Sequence, residues 1–245
     1  MNPIILIPAR LASTRLPNKP LADIAGRPMI VHVLNRAREA ALGPIAIACA
    51  DLAIADAVTA AGGHAILTDP ALPSGSDRIH AALQILDPDG AHDIIINLQG
   101  DLPSIPPDFL AAVLRPLANP KFDIATLVAP ITSPEEAASP SVVKCACAFA
   151  SGETVAPALY FSRSKIPSGD GPLWHHIGIY AYRRAALEKF VSLPESPLEA
   201  REKLEQLRAL EAGLTIGAAQ VAFAPFGVDT PADLERARKI LESRP

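Results

Sequence analysis

Three cations stand close behind one apolar run near the start of the chain. In PARLASTRLPNKP (residues 8–20), Arg10, Arg15 and Lys19 follow Ile4-Ile5-Leu6-Ile7. A loop leaving a parallel strand exposes backbone N–H groups, and added cations make it a phosphate pocket. Arginine grips phosphate oxygens bidentately, whereas lysine supplies a mobile point charge. A solvated basic loop paired with surface carboxylates is the competing explanation. Neither G-x-G-x-x-G nor G-x-x-x-x-G-K-[ST] is present, so the usual nucleotide fingerprints do not apply.

Carboxylates come next. In NLQGDLP, Asp101 follows an apolar strand and a glycine. There it could serve Mg²⁺, which takes one or two carboxylates plus substrate phosphates, or it could cap a loop. Asp229 in FGVDTPADL reads by default as the N-cap of a final helix, with Pro231 in its first turn. Ser74-Gly75-Ser76-Asp77-Arg78 is a helix start that could also contact an anion or a base. His175 and His176 open a strand whose alternation groups His176, Gly178 and Tyr180. Two histidines without an acidic third ligand are weak evidence for zinc. Glu205 and Gln206 fall on the polar face of a helix predicted over 197–212.

Alternating elements must position these residues. Continuous apolar runs predict buried strands at 2–9, 45–50, 64–68 and 93–100. Helical patterns intervene over 26–40, 52–61, 76–86 and 106–117. In the first of these helices Pro28 belongs to the first turn. A β-α series of this kind predicts a mostly parallel sheet flanked by helices, with ligands beyond the carboxyl ends of its strands. The second half reads differently: DIATLVAP, VVKCACAF, APALYFSR and HHIGIYAYR are strand-like, with helices near 184–191, 197–212 and 231–242. The expectation is one α/β domain over 1–245 with a strand-rich lid or dimerisation insertion. Its parts span roughly 1–120, roughly 121–225 and a closing helix near 231–242.

Composition limits the partners. With 22 basic and 26 acidic residues the net charge is −4, which disfavours nucleic acid as a partner. No apolar run approaches a membrane span and no signal-peptide pattern opens the chain, so a cytoplasmic protein is expected. Cys49, Cys145 and Cys147 are too few for a disulfide framework. The pair in VVKCACAFA reads as two buried thiols rather than a metal site.

Seven blocks now carry a resemblance across nearly the whole chain: PARLASTRLPNKPL, PSGSDRI, INLQGDLP, LYFSRSKIP, HHIGIYAYR, LEQLRAL and GVDTPADLERAR. In order and spacing the sequence resembles the 3-deoxy-manno-octulosonate cytidylyltransferases (CMP-KDO synthetases). The resemblance implies a single α/β nucleotidyltransferase domain, usually a homodimer, that uses Mg²⁺. The implied reaction joins CTP and KDO into CMP-KDO and pyrophosphate for lipopolysaccharide assembly. It further implies that Pro8, Ala9, Arg10, Arg15 and Lys19 hold the triphosphate and that Ser76 and Arg78 lie on the cytidine side. Asp101 and Asp229 become metal ligands, and Arg15, Lys19 and both aspartates the catalytic set. Gln99, His176, Tyr180, Glu205 and Gln206 match positions associated with the sugar acid, Gln99 also serving the nucleotide. Relatives often carry a polar residue where Leu102 follows QGD, and many have a longer loop than 164–174. Alternatives are the same transfer to 8-amino-KDO or sialic acid, or a catalytically silent nucleotide-binding regulator. Intact Asp101, Asp229 and Lys19 argue against the regulator.

Overall fold

The computed structural model describes residues 1–12 and 15–242. Ser13 and Thr14, the hydroxyl residues of the opening motif, lie outside the described residues. Contacts divide the chain into two compact units, Met1–Leu110 with Pro225–Pro245, and Ala111–Ala224.

The first unit is built on parallel strands. Strand β1 (Pro3–Ala9) pairs on one side with β4 (Ile45–Cys49) and on the other with β6 (Ile94–Asn97). Strand β5 (Ala65–Leu67) adds to β4, giving the order β5-β4-β1-β6 with every pairing parallel. Ile5, Leu6, Ile7 and Ile95 are inaccessible to solvent, as a strand covered on both faces requires. Helices α1 (Met29–Ala40), α2 (Leu52–Ala60) and α3 (Gly75–Leu86) make the connections. Sequence order reverses between β1 and β6, the switch point at which ligands bind in such sheets.

The elements fall close to the expected positions, with local differences. Before α1 the chain forms a hairpin, β2 (Asp23–Ile24) and β3 (Arg27–Pro28). Pro28 therefore precedes the helix with an extended backbone instead of entering its first turn. The helix expected over 106–117 stops early: α4 (Pro107–Ala112) gives way to a 3-10 turn at Arg115–Ala118, because Pro116 has no N–H for the ladder. Helix α9 (Pro231–Glu242) returns to the first unit. Its Leu234 and Ala237 join Leu16, Ile24, Met29 and Val228 in a small apolar core. That core brings two distant stretches of sequence, the opening loop and the last helix, to one place.

The second unit is largely antiparallel. Strand β7 (Ile124–Pro130) pairs antiparallel with β11 (Trp174–Arg183) and parallel with β12 (Ile216–Gln220). Strand β9 (Val155–Pro157) edges β12. Strands β8 (Lys144–Ala146) and β10 (Tyr160–Ser162) pair with each other, and β8 also meets β11. Helices α5 (Pro134–Ala138) and α6 (Arg184–Ser192) belong to the same unit, α6 packing against β11. The single helix expected over 197–212 is two, α7 (Pro197–Glu202) and α8 (Leu207–Glu211). Lys203, with φ of 57°, takes the left-handed conformation that ends α7. Cys145 and Cys147 are buried free thiols, as expected, and so is Cys49.

Candidate functional site

A cavity of about 410 Å³ opens in the first unit at the carboxyl ends of β1 and β6. Pro8, Ala9, Arg10, Arg15 and Lys19 line it from the opening loop. Gln99 and Asp101 line it from the loop after β6, and Asp229 from the entry to α9. These residues were expected at one site, and the structure brings them together.

Close backbone approach builds the cavity floor. A Cβ on Gly100 would stand 2.9 Å from the Pro8 carbonyl oxygen, so only glycine lets the loop after β6 touch the end of β1. The Val228 N–H donates to the Asp101 carbonyl at 3.0 Å, tying the segment before α9 to the same loop. Leu102 is buried, and its side chain packs beside Gly227. Asp51, just before α2, accepts the Leu11 N–H at 2.8 Å and steadies the opening loop.

Charge is concentrated at one point. The Lys19 ammonium lies 2.9 Å from a carboxylate oxygen of Asp101 and 2.9 Å from one of Asp229. Arg15 reaches the other Asp229 oxygen at 3.3 Å. Burial works against the Lys19 charge, but Asp101 and then Asp229 outweigh it and hold the ammonium above its ordinary pKa. Two carboxylates thus converge on a position already filled by a cation. That suits a small hard cation taking its remaining ligands from phosphate and water. Among the described residues no cluster of three or more His, Cys, Asp or Glu side chains could hold a metal by itself.

Asp229 does not cap α9. The Thr230 hydroxyl accepts the Asp233 N–H at 3.2 Å, while the Asp233 carboxylate accepts the Thr230 N–H at 2.9 Å. This reciprocal pair supplies the cap and leaves the Asp229 carboxylate to face the cavity.

Helix α3 presents its N-terminus to the cavity through Ser74 and Gly75. Ser74 is its cap, accepting the Asp77 N–H at 3.2 Å. Ser76 is buried and does not line the cavity; Ser74, in the same block but not singled out by the resemblance, does. Arg78 is 2 % exposed. Its Nη1 donates to Thr68 Oγ1 at 2.7 Å and to the Asp69 carbonyl at 3.1 Å. Its Nη2 has no partner among the described residues. Burial, and then neighbouring Arg10, lower the Arg78 pKa. A guanidinium held beside a second cation, with a donor unspent, is prepared for an anion or a polar acceptor.

The other expected residues gather in the second unit. The pairing of β11 with β7 slips between Ile177 and Tyr180, so Gly178 and Ile179 bulge. His176 and Tyr180 still face the same way, their ring centroids 5.6 Å apart. The Thr126 hydroxyl spans the bulge, 3.1 Å from the Ile177 carbonyl and 2.9 Å from that of Ile179. Its oxygen lies 3.1 Å from His176 Nε2. The hydroxyl hydrogen is directed to the carbonyls, so the Nε2–H donates to Thr126. Burial, with a smaller push from His175, lowers the His176 pKa to about 3, so the ring is neutral. Burial raises the Tyr180 phenol well above its usual range, and Tyr182 and Glu205 add to the shift. Glu205 and Gln206 stand in the break between α7 and α8, not on the continuous helix expected for them. Gln206 is 7 % exposed, and its Nε2 has no partner among the described residues.

The sequence profile of the cytidylyltransferase family matches residues 4–216. A 3-deoxy-manno-octulosonate cytidylyltransferase of Rhodospirillum centenum is 63 % identical over 243 residues, covering 99 % of this chain and 95 % of that protein. One from Methylobacterium radiotolerans is 60 % identical over 247 residues, covering 99 % and 98 %. Among solved structures, a CMP:2-keto-3-deoxy-manno-octonic acid synthetase complexed with CTP superposes with a TM-score of 0.89 at 42 % identity, covering 99 % of both chains. A cytidylyltransferase from Leptospira borgpetersenii, 17 % identical at a TM-score of 0.64, shares the fold. Matched along almost its whole length, the chain belongs to the 3-deoxy-manno-octulosonate cytidylyltransferase family.

Proposed function

We propose that this nucleotidyltransferase moves CMP from CTP to the anomeric hydroxyl of KDO, releases pyrophosphate, and depends on Mg²⁺. The observation that carries the reading is the convergence of Asp101 and Asp229 on one cationic point, 2.9 Å from each, in a cavity lined by arginines. Arg10, Arg15, Lys19 and the N-terminus of α3 neutralise the triphosphate. The unspent Nη2 of Arg78 donates to an acceptor on the nucleotide. The sugar hydroxyl attacks the α-phosphorus and pyrophosphate leaves in line. Such a transfer asks for positioning and charge neutralisation, with no covalent nucleophile. Asp101 and Asp229 would hold Mg²⁺, which when bound neutralises phosphate charge and lowers the pKa of the attacking hydroxyl. Arg15 and Lys19 stabilise the charge that grows on the leaving pyrophosphate.

His176, Tyr180, Glu205 and Gln206 receive the sugar acid, with Gln99 at the nucleotide side. A neutral imidazole, a protonated phenol and an amide N–H suit hydroxyl and carboxylate groups. The product feeds lipopolysaccharide biosynthesis from the cytoplasm, where CTP is made. Among the described residues no helix is long and apolar enough to cross a membrane. The enzyme works as a homodimer through the β8–β10 region, where Leu159 is 69 % exposed between two edge strands. Sedimentation at micromolar concentration tests the dimer, and a monomer there refutes it.

The decisive assay measures pyrophosphate release from CTP and Mg²⁺ with KDO, 8-amino-KDO and sialic acid offered separately. KDO is expected to give the highest kcat/KM. Release with sialic acid alone would move the activity to another sugar, and no release with any would refute transferase function. Omitting Mg²⁺ is expected to abolish turnover.

A further inference from the structure

Glu205 and Gln206 lie in a four-residue break, Lys203 to Gln206, held to the flanking helices by single turns: Lys203 N–H donates to the Glu199 carbonyl, Leu207 N–H to that of Leu204 and Arg208 N–H to that of Glu205. The break is braced on one side by Glu199 of α7 and Arg208 of α8. Arg208 donates from Nε to Glu199 Oε2 at 2.7 Å and from Nη2 to Oε1 at 2.6 Å. Both partners are largely shielded, so this bidentate pair holds the two helices together.

The other brace reaches strand β10. Glu202, the last residue of α7, accepts the Ser162 hydroxyl on Oε1 at 2.8 Å and the Arg163 N–H on Oε2 at 3.0 Å. The Arg163 side chain completes the clasp. Its Nε donates to the Glu202 carbonyl at 2.9 Å and its Nη2 to the Lys203 carbonyl at 3.3 Å. Lys144, fully buried, donates from Nζ to the Arg163 carbonyl at 3.0 Å. Strand β10 also supports His176, because the Phe161 ring meets the imidazole edge to face with centroids 4.8 Å apart. Adjacent residues of one strand therefore support His176 and hold the helix end that leads to Gln206.

We infer that Glu202 is a positioning residue for the sugar acid: through Ser162 and Arg163 it holds the break so that Gln206 Nε2, which has no partner among the described residues, meets the substrate. The inference rests on the reading that Gln206 contacts the sugar. The Glu202 carboxylate spends an oxygen on each of two protein donors and acts through the backbone it anchors. Nothing in a stability role alone would link it to one substrate and not the other.

The test is a double-mutant cycle on the full-length enzyme. Sugar KM, CTP affinity in the absence of sugar, and melting temperature are measured for Glu202→Ala, Gln206→Ala and the pair. Each single variant is expected to raise sugar KM about tenfold with CTP affinity unchanged, and the pair to be no worse than the poorer single. Glu202→Gln is expected to recover to within about threefold of wild type, since the Ser162 hydroxyl can turn to accept from the new amide. If Glu202→Ala does not fold, Ser162→Ala removes one arm of the clasp and should show a smaller shift of the same kind. A Gln206→Ala defect with normal sugar KM in Glu202→Ala and Ser162→Ala overturns the positioning role alone. Additive effects in the pair overturn it too, because Glu202 would then act independently of Gln206. An unchanged sugar KM in Gln206→Ala overturns the sugar assignment and the inference with it.

Discussion

At Lys19 an ammonium lies 2.9 Å from each of two carboxylates, whereas at His176 a neutral ring shares a hydroxyl with two backbone carbonyls. The first place keeps its charges and pairs them; the second excludes charge from its ring by burial. Formal charges on opposed partners suit a polyanionic ligand whose own charge replaces the internal pairs. Neutral donors and acceptors suit a ligand recognised by its hydroxyl pattern, since an unmatched buried group costs the wrong ligand dearly. The difference fits the proposed placing of nucleotide at the first and sugar at the second. Each prediction below removes one side of that contrast.

The largest effect belongs to the charged pocket. Asp101→Asn and Asp229→Asn remove negative charge at nearly constant shape. Turnover is expected to fall by roughly 10³-fold or more in either variant, with the melting temperature hardly moved. Turnover assays across an Mg²⁺ titration, with parallel thermal melts, decide it. A variant within a few-fold of wild type would remove that aspartate from the catalytic set.

Next in size is the acid response of the neutral cluster. The folded protein holds His176 unprotonated down to pH of about 3, whereas the unfolded chain protonates near 6.5. The unfolded state thus binds more protons between those values. The stabilisation is full above pH 6.5 and is lost as pH falls toward 3, by up to roughly 5 kcal/mol. His176→Gln keeps a donor for Thr126 but cannot titrate there, so its stability curve should be flatter over that interval. Denaturant melts at several pH values measure this. A wild-type curve as flat as the variant's would mean that the imidazole is solvated and charged.

The parallel half of the fold was legible because its strands are continuous apolar runs, and a run such as Ile4–Ile7 has no solvent face to disguise it. Strand β12, TIGAAQV, was missed: alanine and glycine carry little β-signal, and Gly217 is there because a Cβ would collide with Pro116 and Phe122. The α7–α8 break was invisible because Lys203, which enters the left-handed region, is neither glycine nor asparagine. Of the site, the cations and Asp101 were readable from residue type and position. Asp229 was not, since DTPAD offers two candidate caps and only the three-dimensional pairing of Thr230 with Asp233 decides between them. His176 and Gln206 were named by resemblance. Their burial, which gives them chemical meaning, depends on a bulge and a broken helix that no periodicity announces.

A smaller change tests the neutral cluster by function. Tyr180→Phe removes one hydroxyl from an otherwise unaltered ring. The loss of a hydrogen bond worth about 1–1.5 kcal/mol should raise sugar KM or lower kcat roughly tenfold, with CTP affinity intact. Steady-state kinetics with each substrate varied separately measure this. Weakened CTP binding with normal sugar saturation would exchange the roles of the two places.

The smallest effect separates folding from chemistry at adjacent residues. Thr230 and Asp233 cap α9 reciprocally, and Asp229, one residue earlier, points its carboxylate at Lys19. Thr230→Ala removes the cap hydroxyl and should cost about 1 kcal/mol of stability. In a chain of this size that lowers the melting temperature by about 2–4 °C. Turnover below the melt should remain near wild type, because Leu234 and Ala237 still dock the helix in the core with Leu16 and Val228. Thr230→Ser should restore the melt, since serine caps at least as well. Asp229→Asn should do the reverse, sparing the melt and removing turnover. If Thr230→Ala instead lost activity as deeply as Asp229→Asn, the cap would be what holds the Asp229 carboxylate at Lys19, and charge and fold could no longer be separated at this helix start.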